Sequence, residues 1–215
     1  KTTLLNCFLG LNKHYDGTIR IFGKDIKELS RKELAKRIGL VPQLSQVTFE
    51  YTVEEFVLLG IAPQIRYFSV PNADAKRYVD QSLELLGLSS LKYRFVNSLS
   101  GGERQLVYIA RTIVQKPKIL VMDEPTSALD FGNSLAITDL IKKLRGDGYT
   151  IILTSHNPDY PFLFHDHTVA MLPENQVILG RTDDLLSDEV LTQLYGIGIK
   201  RVFIPEYGQY VCIKK

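Results

Sequence analysis

The chain has 215 residues, 45% apolar and 23% charged, the balance of a globular protein with room for one sizeable domain or a core domain carrying a smaller insert. Its 26 Lys and Arg against 24 Asp and Glu leave a net charge of +2, too small to mark nucleic acid or an anionic membrane as the main partner. Two distant cysteines, Cys7 and Cys212, make no disulfide framework and suit a reducing compartment, while apolar runs such as 119–122 and 151–153 fall far short of a bilayer span.

The opening stretch KTTLLNCFLG carries Leu4, Leu5, Phe8 and Leu9 at helical spacing, so a helix is expected to begin at or before Lys1, with further residues upstream. GTIRIFGKDI alternates as an exposed strand and turn should. RIGLVPQ is a short apolar run stopped by Pro42, which predicts a buried strand whose last residue is Gln43. RKELAKR, just before it, reads as a solvated helix face. From about 52 to 97 the character is helical: TVEEFVLLG, a Pro-containing loop, then NADAKRYVDQSLELLGL with Val79, Leu83 and Leu86 in one stripe. A further helix is predicted over 103–116, burying Leu106, Ile109, Ala110 and Ile113.

The pattern then switches. KILVMDEP is a buried-type strand, NSLAITDLIKKLRGDG a helix closed by Gly146 or Gly148, and TIILTSH a second buried run with a polar end. HTVAMLPENQVILG reads as two strands around a turn, and the tail mixes short helices with YVCIKK. Apolar strands alternating with amphipathic helices predict an α/β fold with a mostly parallel sheet covered on both faces. The 52–97 block interrupts that alternation and is read as an inserted helical subdomain.

In an open parallel sheet, ligands sit beyond the carboxyl ends of the strands. Three predicted strands end in polar groups: Gln43, Asp123 with Glu124, and His156. A lone Gln or His there is compatible with a satisfied loop residue. LVMDEP is stronger, because two carboxylates at a strand tip are costly to bury without a cation, and magnesium would serve. A solvated acidic turn is the alternative. Lys1-Thr2-Thr3 matches only the end of a phosphate-binding loop, in which Gly-Lys-[Ser/Thr] opens a helix. LSGGERQ, at 99–105, admits a plain reading as a capping box between Ser100 and Glu103. His165 and His167 have a spacing that metals use, but no second ligand cluster accompanies them, and a polar loop is the reading adopted.

Lys1-Thr2-Thr3, Gln43, LSGGE at 99–103, ILVMDEP at 119–125, SALD at 127–130 and His156 stand in an order and spacing that resembles the ATP-binding cassette ATPases. The likeness covers all but the last few dozen residues. YTVEEFVLLG, LSGGERQLVYIAR, PTSALDFGN and TSHNPD are similar, more narrowly, to the ATPase subunits of importers for iron-siderophore, haem and cobalamin chelates. The resemblance implies an α/β P-loop NTPase of this type over 1–215, with a helical subdomain near 44–117 carrying LSGGE, and 118–215 supplying the rest of the catalytic core and a tail.

It also implies roles. Lys1 would contact the β- and γ-phosphates of ATP, Thr2 would ligate Mg2+, and Thr3 would lie near the α-phosphate. Asp123 would hold the metal, Glu124 would be the general base, and Gln43 would touch metal and water. His156 would hydrogen-bond the γ-phosphate. Two copies would face head to tail, each ATP sandwiched between one copy's phosphate loop and the other's Ser100, Gly101 and Gly102, with Asp130 reaching across. The glycines would let the backbone approach the γ-phosphate. The implied partners are a second ATPase subunit, a polytopic membrane permease and, indirectly, a substrate-binding protein, at the cytoplasmic face of the cell membrane; nucleic acid is not among them. FEYTVEEF would be core or part of the permease groove. The alternative is a soluble cassette ATPase acting on nucleic acid or ribosomes. Lys1 without the glycine-rich part of the loop cannot cradle a triphosphate, so weak ATP binding is expected of a chain limited to these residues.

Overall fold

A short helix, α1 (Thr2–Phe8), opens the chain with Lys1 at its N-cap and Leu5 and Cys7 buried. The computed structural model describes residues 1–43, 49–64 and 73–215. Next comes a tight antiparallel hairpin of β1 (Arg20–Ile21) and β2 (Lys24–Asp25). Helix α2 (Arg31–Arg37) starts at a capping box between Ser30 and Glu33 and runs straight into β3 (Ile38–Val41). A second such box, Thr52 with Glu55, starts α3 (Val53–Leu58). A 3-10 turn over Leu59–Gln64 carries Pro63, and α4 (Ala73–Leu85) follows. Most of the expected Pro-containing loop, and the expected start of the helical subdomain at 44, lie outside the described residues.

Helix α5 (Gly101–Ile113) begins two residues before its predicted start, because Ser100 caps it. It stops short of 116, where Lys116 has a φ of 51° ahead of Pro117. The expected stripe holds at Ile109, Ala110 and Ile113, but Gln105 is buried and Leu106 only half-buried. The reason is that α5 packs against α3, α4 and β3 at once, so more than one face is covered. Then come β4 (Ile119–Met122), α6 (Phe131–Gly146) and β5 (Thr150–Leu153). Val79, Leu83 and Leu86 form the buried stripe of the α4 region as the spacing predicts.

The sheet is parallel, in the order β3-β4-β5. Its register aligns Val41, Met122 and Leu153, so the three carboxyl ends finish level. Two further amides continue the ladder: Asp123 N to the Val41 carbonyl and Thr154 N to the Met122 carbonyl, both 3.0 Å. Leu120, Val121 and Met122 are each 0% exposed, and full burial of such side chains is worth about 1.5–3 kcal/mol apiece. The central strand is thereby the firmest support in the sheet. One apolar cluster joins Leu5 of α1, Ile21, Leu34, Ile38 and Val121; it fixes where the start of α1 lies relative to the tip of β4.

These elements form a unit over Lys1–Thr154, and Ser155–Lys215 forms another. In the second, β6 (His167–Met171) and β7 (Val177–Arg181) pair antiparallel around a turn, as their sequence predicts. They lead to α7 (Thr182–Leu185), α8 (Asp188–Tyr195) and an antiparallel pair, β8 (Ile199–Ile204) with β9 (Gln209–Lys214). Its core is Phe162, Ala170, Leu186, Leu191 and Ile199. His165 sits with Nδ1 3.0 Å from the Asp183 carboxylate and His167 with Nδ1 3.1 Å from Asp166.

Candidate functional site

At the level strand ends of the first unit, β4 runs out into Asp123 and Glu124, both half-buried. Thr2 donates its hydroxyl to Asp123 Oδ2 at 3.1 Å. Thr154, one residue beyond β5, donates to Asp123 Oδ1 at 2.6 Å. The same Thr154 oxygen accepts the Glu124 amide at 3.0 Å. Each oxygen of Asp123 is thus engaged by a hydroxyl, one from α1 and one from the neighbouring strand. Glu124 itself has a φ of 49°, a left-handed conformation uncommon outside glycine, which turns the chain sharply at the sheet edge.

Beyond that turn, Ser127 donates its hydroxyl to the Glu124 carbonyl at 3.1 Å. Gln43, just past β3, donates Nε2 to the Ser127 hydroxyl oxygen at 3.3 Å. Burial lowers the Lys1 ammonium from its ordinary pKa, while the negative charges of Glu124 and Asp123 pull the other way. That balance places Lys1 within electrostatic reach of both acids. Thr3 is exposed on the first turn of α1. Lys1, Thr2, Gln43, Asp123 and Glu124 therefore gather at one sheet edge.

Ser100, Gly101, Gly102 and Asp130 gather in a second cluster. Ser100 accepts the Glu103 amide at 3.3 Å and donates its hydroxyl to the Glu103 carboxylate at 2.8 Å, while its own amide reaches the same carboxylate at 2.8 Å. The capping box is real, and those two bonds from Ser100 lower the pKa of Glu103. Asp130 caps α6: the Asn133 amide and side-chain Nδ2 donate to its carboxylate at 2.9 and 2.7 Å, lowering its pKa. Gly102 is buried, and a Cβ there would stand 2.3 Å from Asn133 Oδ1. Asn133 thus bonds the Asp130 turn while its side chain lies against the start of α5. A Cβ on Gly101 would meet nothing closer than 3.6 Å. Of FEYTVEEF, Phe56 is core, packed on Tyr108 with ring centroids 5.1 Å apart, and Phe49 is exposed.

His156 is an exposed residue of the second unit; its carbonyl accepts the Tyr195 hydroxyl at 2.9 Å. Sequence reasoning missed Thr154, Ser127 and Asn133 as contributors. Thr154 carried a usable signal, since it is the first polar residue after TIIL, as Asp123 is after ILVM. Asn133 carried none, because its partners are set by how two helix starts pack.

The donors at the β4 tip are hard oxygens, a hydroxyl paired with a carboxylate, beside an ammonium. Such a set suits Mg2+, which is held by one or two protein oxygens and otherwise by phosphate and water. Among the described residues, no cluster of three or more His, Cys, Asp or Glu side chains is placed to hold a metal.

A parallel sheet whose central strand ends in two acids, beside a helix opened by Lys-Thr, defines an α/β nucleoside triphosphatase of the P-loop type. A family model described as ABC transporter matches residues 1–127. A Helicobacter pylori protein named "Probable iron chelatin transport ATP-binding protein" is 35% identical over 205 residues, covering 94% of this chain and 80% of that one. The molybdate import ATP-binding protein MolC of Haemophilus influenzae is 33% identical over 196 residues, 91% of this chain and 72% of its own. Among solved structures, a transporter assigned to the metal-chelate type, in an inward-facing conformation, superposes with a TM-score of 0.88 at 30% identity, over 100% of this chain and 82% of that one. The chain belongs to the ABC transporter family, and it is an ATPase cassette of that family.

Proposed function

We propose that this chain powers an importer for a metal chelate, such as an iron-siderophore, haem or cobalamin, through a membrane permease. The hydrogen-bonded set at the β4 tip, where Thr2, Asp123, Thr154 and Glu124 converge, carries the ATP-hydrolysing part of the reading, and the likeness to the iron chelatin and metal-chelate transport proteins supports the solute. Thr2 and Asp123 would hold Mg2+, which when bound would neutralise charge on the phosphate oxygens. Lys1 would pair with the β- and γ-phosphates of ATP, with Thr3 near the α-phosphate. Gln43 would orient the attacking water, and Glu124 would accept its proton as the water oxygen bonds to the γ-phosphorus and ADP leaves. His156 would donate to the γ-phosphate as charge builds on it.

Two copies would close head to tail around ATP, each presenting its Ser100–Gly102 helix start to the other's triphosphate, where N–H groups and the helix dipole favour an anion. Gly101, open in this chain, is the position at which a phosphate would approach the backbone. Asp130 would lie at the same interface. A groove of about 410 Å³ runs between α2, β3, the 3-10 turn and α5, lined by residues such as Ala35, Leu40, Pro42, Leu59 and Tyr108. Its mainly apolar lining, beside Gln43, supports docking of a permease segment there. Among the described residues no helix is long and apolar enough to cross a membrane, in keeping with peripheral attachment at the cytoplasmic face. A substrate-binding protein would deliver the solute to the permease.

The test is ATP turnover of the full-length protein against Glu124→Gln, together with recovery of a polytopic membrane partner from detergent extracts. The reading predicts loss of turnover by at least about a hundredfold in the variant, the scale at which removing a positioned base acts. It also predicts a permease in the extract and chelate uptake that depends on both proteins. Unchanged turnover removes Glu124 from its role. Ribosomes or nucleic acid in place of a permease would favour a soluble cassette ATPase, and uptake of molybdate alone would replace the solute.

A further inference from the structure

The loop that carries His156 is tied down by the C-terminal segment of the chain. Tyr195, the last residue of α8, donates its hydroxyl to the His156 carbonyl at 2.9 Å. Three residues on, Asp159 accepts the Cys212 amide of β9 at 2.6 Å. Between these two tethers the loop is locally braced. The Asn157 amide reaches the Ser155 hydroxyl at 3.0 Å, and the Asp159 amide reaches the Asn157 side-chain oxygen at 2.9 Å. Phe162, at 0% exposure, then plugs the chain into the core built by Leu186, Leu191 and Ile199.

Tyr195 is 37% exposed, and the helix that carries it is anchored on both sides of it. Leu191, one turn earlier, is 1% exposed, and Gly196 ends the helix in a left-handed conformation at φ 68°, which a side chain would strain. Burial raises the Tyr195 phenol to about 12, so it remains a neutral donor across the physiological range. The Cys212 thiol, likewise raised to about 12 by burial and the Asp159 charge, stays protonated and adds no competing anion.

We propose that Tyr195 is a positioning residue for ATP hydrolysis, through which the C-terminal α8–β9 segment holds the His156 loop in its conformation. The proposal rests on the reading of His156 as the group that meets the γ-phosphate, and it gives the tail a function: what disturbs α8 or β9 changes turnover without touching nucleotide affinity.

Tyr195→Phe removes one oxygen and keeps the ring, and it is compared with His156→Ala in the full-length protein. Loss of one hydrogen bond, about 1 kcal/mol, corresponds to a fall in kcat of about fivefold, with KM for ATP held within about twofold. Amide hydrogen exchange over 155–160 speeds up in the same variant. The two changes together support the proposal. Faster exchange with unchanged kcat overturns it, since the tether then serves stability alone; lower kcat with unchanged exchange overturns it as well, since Tyr195 then acts elsewhere. If His156→Ala leaves kcat at the wild-type value, the role of His156 itself fails and the proposal with it, a result distinct from the other two.

Discussion

Thr154 makes two bonds at the point where the sheet meets the proposed reaction, to the Asp123 carboxylate and to the Glu124 amide. Replacing it with valine keeps the shape, strips Asp123 of one donor and leaves the Glu124 amide without its acceptor. A hydrogen bond to a charged group is worth about 1.5–3 kcal/mol, so Thr154→Val lowers kcat by about ten- to a hundredfold, whereas Thr154→Ser, which retains the hydroxyl, stays within a few-fold of wild type. Equal activity in the valine variant contradicts the role. At this scale the acids were legible in the sequence because charge following four apolar residues has to be solvated or paired. The hydroxyls that hold them were not, since Thr is at home in any strand and its partner depends on register. Gly102 shows a different limit. The sequence marks the glycine, and the reason visible in this chain is the side chain of Asn133 lying 2.3 Å from where a Cβ would be.

Helix starts do much of the positioning at the scale of elements. Three capping boxes, at Ser30–Glu33, Thr52–Glu55 and Ser100–Glu103, fix where α2, α3 and α5 begin. Ser100→Ala costs about 1 kcal/mol of cap, seen as a thermal midpoint about 2–4 °C lower. Ser100→Asp restores the cap, because aspartate is a good N-cap, yet sets a carboxylate where the partner's γ-phosphate is proposed to come. Stability therefore returns while turnover does not; recovery of both would mean that Ser100 is a cap and nothing more. The capping carboxylates of Glu33, Glu55 and Glu103 are held below their ordinary pKa by hydrogen bonds from Ser30, Thr52 and Ser100. A lowered folded-state value means their stabilisation is complete above the unfolded value, about 4.3, and is lost as pH falls through the lower folded-state value. Denaturant midpoints of the triple Glu→Gln variant should accordingly change less between pH 5 and the acid limit than those of wild type; parallel curves contradict the assignment. Element types were readable from apolar periodicity, and even the box at Ser100 was. Boundaries shifted wherever a cap decided them: α5 and α6 each start two residues early, at Gly101 and Phe131, because Ser100 and Asp130 end the preceding turns.

For the whole molecule, the sheet was the most legible part, since IGLV and ILVM are short apolar runs of the kind a covered parallel strand requires; TIIL, also expected to be buried, pairs in register but stands at the end of the strand order with Ile151, Ile152 and Leu153 only half-buried. The division at Thr154–Ser155 was not, because no composition shift or linker marks it. The groove beside α5 was not visible: no residue of FEYTVEEF lines it, and its walls come from α2, β3, the 3-10 turn and α5, which meet only in the fold. The central claim concerns two such molecules. ATP is proposed to be gripped by the β4 tip of one copy and the Ser100 helix start of the other, so a variant that binds but does not hydrolyse should accumulate as a pair. Light scattering of full-length Glu124→Gln with ATP and Mg2+ tests this directly. The account predicts a dimer mass with ATP that reverts to monomer with ADP; a monomer mass under both nucleotides, with ATP bound, contradicts it.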